Sequence, residues 1–444
     1  MSSDPRATEQ ANVPPSLANL PLRFWLIAIL TGVCAGAGAM AFMGVLRAVQ
    51  HAAFGYRTGE YSAAAARSSD ERVVAVLVVG GLVAGVGWWA LYRFAGGTGG
   101  EPTEVVWSGS GSLSPTRTIA SGTLSEVAVG LGMSLGREAA PQHTGAALGF
   151  FLARRFCLPA DQATLLIACG AGAGVGAVYN VPFAGALFAA ELYLGSISLT
   201  TLVPALVISA VATAVSWITL PAQAVYKLPT LTYPSLGLVT WALLVGPLIG
   251  LASAGYVRAI GWASDRRPKD RRLLFEPLFA FAFLGLIAIK YPLLLGNGRD
   301  LAQFALTGKA TLLTLLALTA LKPIVTTGCL RSGAGGGLFT PTFSFGATLG
   351  ALLGHARSYI WPGLNGPSYG AVGAAAMLGA AMQAPVAGIA FVLELTNETV
   401  PIVVPIVLAI AGATIVSRRF EMRSIYSSRI SPSKRPELST IGHR

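Results

Sequence analysis

Two stretches of this chain, about two hundred residues apart, are nearly the same stretch. Gly176-Ala-Val-Tyr-Asn-Val-Pro182-Phe-Ala-Gly185-Ala-Leu-Phe188-Ala-Ala-Glu191-Leu192 aligns without a gap on Gly379-Ala-Ala-Met-Gln-Ala-Pro385-Val-Ala-Gly388-Ile-Ala-Phe391-Val-Leu-Glu394-Leu395, with eight of seventeen positions identical. Both runs are largely apolar, with one amide early and one carboxylate near the end. A duplicated unit inside a hydrophobic chain points to a transporter of two repeats with its site where they meet.

The surrounding composition sets the solvent. The chain is 53% hydrophobic and 11% charged, with 53 glycines among 444 residues. Soluble domains carry about 25% charged residues, so the chain reads as a polytopic membrane protein. Long apolar runs lie near 24–48, 73–96, 118–136, 162–180, 199–220, 235–262, 274–296, 311–328 and 400–416. Other segments are too short, or too broken by Gly and Pro, to cross a bilayer of about 30 Å as one straight helix. The expected class is all-α, with tilted and broken helices packed closely through glycine.

A formal charge of +12 would suggest nucleic acid in a soluble protein. Here the basic residues fall in short loops and a tail: Arg266, Arg267, Lys269, Arg271 and Arg272, then Arg418, Arg419, Arg423, Arg429, Lys434 and Arg435. The positive-inside rule puts both groups in the cytoplasm. Residues 1–20 have neither a basic start nor a cleavage site and read as a cytoplasmic tail. Residues 431–444 read as a second one. The four cysteines, Cys34, Cys157, Cys169 and Cys329, show no paired or metal-like spacing and read as reduced packing residues. No HExxH or GK[ST] motif is present, so no metal or nucleotide cofactor is implied.

A second pair of segments extends the duplication. Gly136-Arg137-Glu138-Ala139-Ala140, running on to Gly145 and Gly149, corresponds to Gly337-Leu338-Phe339-Thr340-Pro341, running on to Gly346 and Gly350. Repeat one then spans about 22–219 and repeat two about 235–418, joined near Thr230–Pro234. Each glycine-led element is expected to open a helix, Pro341 sitting near a start where a missing N–H costs little. Helix N-termini carry about half a positive charge and several free N–H donors. Starting in mid-membrane, they make an anion site with no fixed cation, weak enough to release its ion. Glu138 stands out against this background. A carboxylate near mid-membrane costs roughly 2.5–3.5 kcal/mol, and low dielectric favours its neutral form. Glu138 is therefore expected to compete with the transported anion and to be displaced on protonation.

At these residues the chain resembles the CLC family of chloride channels and chloride/proton antiporters, over about residues 22–430. Gly337-Leu338-Phe339-Thr340-Pro341 is similar to the family's GxFxP element, preceded by Ser332-Gly333-Ala334-Gly335-Gly336. Gly136-Arg137-Glu138 is similar to the start of GREGP, which puts the family's gating glutamate on Glu138. Asn180–Glu191 and Ala384–Glu394 resemble its paired helices, and Tyr426 in Ser424-Ile425-Tyr426-Ser427 matches the tyrosine that lines the central anion site. The resemblance implies two inverted repeats, a homodimer in the inner membrane with both termini cytoplasmic, and one pore per subunit. Chloride would be held by the backbone at Leu338 and Phe339 and by the hydroxyls of Thr98 and Tyr426, with Glu138 as gate and proton acceptor.

The chain departs from the pattern in three places. GREGP reads GREAAP, with Pro141 one position late, which is expected to alter the helix start. The GSGxP serine has two candidates. Gly109-Ser110-Gly111 leaves 28 residues to Glu138, whereas Thr98 in Gly97-Thr98-Gly99-Gly100-Glu101-Pro102 leaves 40, room for two helices. Thr98 is preferred, since its hydroxyl donates as serine's does. Finally, proton-coupled members carry an inner glutamate where this chain has Leu192. That weakens the antiporter reading and favours a passive channel.

Other classes fit less well. Gly132-Met-Ser134-Leu-Gly136 satisfies GxSxG, yet it ends an apolar helix rather than a strand, against an intramembrane hydrolase. Cation/proton exchange needs carbonyl oxygens where helix starts present N–H donors. Fluoride export conflicts with the chloride-type residues Thr98 and Tyr426. Lys290 and Lys322 are expected to snorkel, Trp88, Trp89 and Trp361 to anchor at interfaces, His143 to be a hydrogen-bonded helix residue, and Glu191 and Glu394 to be scaffold.

Overall fold

The repeated amide near the start of each matching stretch is a helix stop. In the computed structural model, which describes residues 20–56, 59–109, 111–229, 236–358, 366–397 and 402–430, Asn180 and Gln383 both take left-handed conformations, φ 56° and 59°. Each ends one helix, and a proline two residues on opens the next, a junction that suits an amide and a proline. Seventeen α-helices and no strand beyond one isolated bridge occur among the described residues.

In the first half these are α1 (Leu22–Phe54), α2 (Tyr61–Ala66), α3 (Asp70–Phe94), α4 (Pro102–Ser108), α5 (Pro115–Gly130), α6 (Ala139–Arg155), α7 (Ala160–Tyr179), α8 (Pro182–Phe188) and α9 (Leu199–Ser216). A π-helical turn, Ala189–Tyr193, continues α8. The second half holds α10 (Leu236–Asp265), α11 (Glu276–Lys290), α12 (Arg299–Leu306), α13 (Leu312–Arg331), α14 (Phe339–Ser358), α15 (Gly366–Met382), α16 (Pro385–Thr396) and α17 (Val403–Phe420). Eight helices among the described residues are long and apolar enough to cross a membrane. The apolar run 118–136 is not one of them: α5 ends at Gly130, and a non-helical segment leads on to Glu138.

The halves pack alike. Gly145 of α6 lies on Gly170 of α7, and Gly350 of α14 on Gly373 of α15, so close that a Cβ at any of the four would overlap the facing backbone. Trp217 at the end of α9 donates to Asn180 Oδ1 at 2.7 Å, and Arg418 of α17 donates to Gln383 Oε1 at 2.8 Å. The late proline is absorbed at the helix start. α6 begins Ala139-Ala140-Pro141 and α14 begins Phe339-Thr340-Pro341, with proline third in both. That position has no intrahelical partner for an N–H, so proline costs nothing there.

Two carboxylates tie the halves together. Glu191 accepts from Val386 N at 3.2 Å and Ala387 N at 2.7 Å, at the start of α16. Glu394 accepts from Phe183 N at 3.2 Å and Ala184 N at 2.6 Å, at the start of α8. The C-terminal end of each helix thus caps the N-terminus of its counterpart, which requires the two to run antiparallel, as inverted repeats do. Phe188 meets Phe391, its equivalent, edge-on at 5.8 Å.

Three side chains depart from expectation. Lys322 does not snorkel: it is fully buried on α13, and its ammonium donates to Ser134 Oγ at 2.8 Å. Trp88 is 1% exposed and packs against Gly335 instead of lying at an interface. Arg429, placed by its charge in a cytoplasmic tail, is folded into the protein. Lys290 is exposed at the end of α11. Trp361 lies outside the described residues, as do residues 1–19 and 431–444 of the two tails.

Loss of a capping side chain costs about 0.5–2 kcal/mol. Glu191→Ala and Glu394→Ala are each expected to lower the midpoint of thermal unfolding in detergent by comparable amounts, and an unchanged midpoint in either would show that its cap does not hold the helices.

Candidate functional site

The site begins with a backbone crossing. Gly136 N donates to Gly337 O at 2.6 Å and Gly337 N to Gly136 O at 2.8 Å, pairing the two glycine-led segments antiparallel. Glycine leaves room for the gate here: a Cβ at either position would overlap the Glu138 carboxyl where it now lies. The crossing sets the starts of α6 and α14 face to face in the buried centre.

Glu138 is 0% exposed and reaches across to the start of α14. Its Oε1 accepts from Phe339 N at 2.7 Å; its Oε2 accepts from the Tyr179 hydroxyl at 2.9 Å and from Thr340 Oγ1 at 3.3 Å. The hydroxyls of Tyr179 and Thr340 also lie within hydrogen-bond reach of each other, so two protons are shared among three contacts. A helix N-terminus attracts negative charge through its dipole and free N–H groups, and the carboxylate fills that position as an anion would. The Arg137 guanidinium lies over the Tyr179 ring, 5.1 Å from its centroid.

Rings extend from this seat. Phe339 stacks on Tyr179 with centroids 5.3 Å apart and meets Phe391 edge-on at 4.6 Å. Phe391 meets Phe188, and Phe188 meets Tyr426 at 5.5 Å. Tyr426 is 7% exposed, and its hydroxyl has no hydrogen-bond partner among the described residues. It is a free donor in an apolar wall. Leu338, fully buried, immediately precedes Phe339 at the helix start.

Thr98 is half-buried in the turn before α4, its carbonyl accepting from Ser121 Oγ at 2.9 Å. Its segment meets those of Tyr426 and Phe339 through one side chain. Arg429 Nη2 lies 3.7 Å from Glu101 Oε1, and Arg429 Nη1 donates to Gly336 O at 3.2 Å. Glu101 Oε2 is 3.7 Å from His143 Nε2 of α6, an ion pair only when the imidazole is protonated. The other serine candidate, Ser110, lies outside the described residues.

The geometry brings Glu138 and Phe339 into direct contact, sets Leu338 beside them, and links Tyr426 through a chain of rings; Thr98 joins only through Glu101 and Arg429. Sequence reasoning passed over Tyr179, Thr340 and Arg429. Two signals were available: Tyr179 precedes the repeated amide, and Thr340 stands inside Gly337–Pro341.

Comparison with known proteins places this geometry. The family model for the voltage gated chloride channel matches residues 77–418. A putative chloride channel protein, ClcB-like, of Ralstonia nicotianae is 33% identical over 413 residues, covering 89% of this chain and 94% of its own length. The H(+)/Cl(-) exchange transporter ClcA of Vibrio parahaemolyticus is 28% identical over 371 residues, covering 80% and 79%. In fold, the chain is similar to the crystal structure of a slow cyanobacterial Cl-/H+ antiporter, with a TM-score of 0.80, 19% identity, and coverage of 95% of this chain and 99% of that one. By the extent of the family match, this polytopic membrane protein belongs to the voltage gated chloride channel (CLC) family.

Proposed function

We propose that the protein moves chloride across the cell's inner membrane, through one pore in each subunit of a homodimer, with Glu138 as the gate. The observation that carries this reading is the Glu138 carboxylate on the Phe339 N–H at the start of α14. While ionised, the carboxylate is the anion in its own pore. Protonation removes its charge and much of the strength of its charge-assisted hydrogen bonds. Chloride then takes the backbone donors at Leu338 and Phe339, and the hydroxyls of Tyr426 and Thr98 line its route. The names of the relatives, a chloride channel and a proton/chloride exchanger, support chloride as the ion. Repeats over 22–219 and 235–418, with both termini in the cytoplasm, belong to the same reading, as do tails over 1–20 and 431–444.

Exchange against protons is the first form of this function, with Glu138 as outer proton acceptor. A passive channel is the second, and Leu192 favours it, since an alkyl side chain carries no proton. Proteoliposomes under a chloride gradient, with chloride and proton recorded together, separate the two. Proton uptake driven by chloride establishes exchange; chloride leak alone establishes a channel.

Three variants test the residues. Glu138→Gln, a permanent mimic of the neutral gate, is expected to leave chloride flux nearly independent of pH; a wild-type pH profile would sink Glu138 as the gate. Tyr426→Ala removes a donor worth about 1.5–3 kcal/mol to an ion, so anion affinity measured by calorimetry should fall about tenfold or more. Leu192→Glu is expected to raise proton flux relative to chloride flux, and an unchanged ratio would show that the inner position does not limit coupling.

A further inference from the structure

One buried carboxyl takes no part in the mechanism above. Glu126, on α5, is 0% exposed, and neither of its oxygens has a hydrogen-bond partner among the described residues. Isolated ionised carboxylates are too costly to bury unpartnered. Its position is well defined. Gly122, one turn before it, packs on Ala140 of α6 and Phe42 of α1; Gly130, one turn after it, packs on Leu46 and Val49 of α1. Glu126 therefore lies on the stripe of α5 that faces α1 and the start of α6. Arg137 and Glu138 are within electrostatic reach of it, and α1 contributes Arg47, which reaches Arg137. The Nε of Arg137, like the Glu126 oxygens, has no hydrogen-bond partner among the described residues.

The Gly333–Gly337 segment gives its depth. Arg267, in the basic loop after α10, donates to the carbonyls of Gly333 and Ala334, at 3.1 Å each. Ser125, beside Glu126, donates to the Gly335 carbonyl at 2.9 Å. Gly337 pairs with Gly136, two residues from Glu138. Glu126 thus stands at an intermediate level, between the basic loop and the gate.

We propose that Glu126 is a second proton-carrying carboxyl of the transport cycle, passing protons between Glu138 and the side of the basic loop. The inference rests on the chloride-transport reading and deepens its exchange form. With Glu138 ionised on α14, Glu126 is the neutral acid, because two nearby carboxylates oppose each other's charge. Transfer breaks the O–H bond on Glu126 and forms one on Glu138. The gate becomes neutral, and the Glu126 carboxylate is left to the Arg137 guanidinium. A proton from the basic-loop side then restores the acid. Leu192 offers no carboxyl for this task; Glu126 does.

The test is chloride and proton flux recorded together in proteoliposomes, using the full chain. Glu126→Gln is expected to keep chloride flux within about threefold of wild type while chloride-driven proton uptake falls at least about tenfold. Glu126→Asp, which keeps an acid in place, is expected to retain proton uptake. Because the carboxyl is unpartnered, Glu126→Leu is expected to fold as stably as wild type and to repeat the Gln result should that variant fold poorly. Wild-type proton uptake in Glu126→Gln or Glu126→Leu overturns the proposal. So does equal loss of both fluxes in all three variants, which would make the residue structural. Chloride flux with no proton movement in the wild-type protein overturns it as well and leaves chloride transport standing. Absence of chloride flux in the wild-type protein would instead bring down the reading on which it rests.

Discussion

The hydrogen bond from Phe339 N to Glu138 is the contact on which the rest of the site depends, because its two partners come from different halves of the chain. It needs two helix starts face to face, a glycine crossing thin enough to let the carboxyl through, and a dry centre. The crossing of Gly136 and Gly337 supplies the first two. Fully buried surroundings supply the third and make a charge-assisted bond to a backbone N–H worth more than it would be in water.

Glu138, Glu191 and Glu394 each set a carboxylate on a helix N-terminus of the other repeat, and only Glu138 is suited to leave. Glu191 and Glu394 each accept from two successive backbone N–H groups. Losing either carboxylate strands two fixed donors. Glu138 accepts from one backbone N–H of the other repeat and is met by two hydroxyls, which lie close enough to bond each other once it leaves. When Glu138 moves away, Tyr179 and Thr340 keep a partner and a single N–H is left open. That donor is the one an incoming anion takes. The fixed pairs hold the repeats in register, and the third pair is a seat.

Much of this was legible in the sequence, for reasons particular to each element. The duplication and the helix starts at Ala139 and Phe339 follow from local pattern: proline and glycine act on their own backbone wherever they stand. The residues misjudged were those whose burial depends on distant partners. Lys322 lies in an apolar run and has the composition of a snorkelling lysine; Ser134, 188 residues away, holds it inside. Arg429 sits in a basic C-terminal run, yet the chain folds back and brings it to Glu101 and Gly336. Trp88 has the look of an interfacial anchor, but Gly335 offers it a flat place to pack. No local pattern records a partner from the other repeat.

Lys322 also refines the electrostatics of the seat. An anion site with no cation was expected from the helix starts alone, and the structure has a buried ammonium within electrostatic reach of Glu138. Its hydrogen bond, however, goes to Ser134, two residues before Gly136. When protonated, it draws an anion into the protein from a distance, through an interior less polar than water. Direct contact would add a charge-assisted bond of about 1.5–3 kcal/mol and slow the ion's release. With its ammonium committed to Ser134, the lysine supplies field without contact. The seat itself remains a backbone N–H and hydroxyls, so chloride and the Glu138 carboxylate compete for it on similar terms.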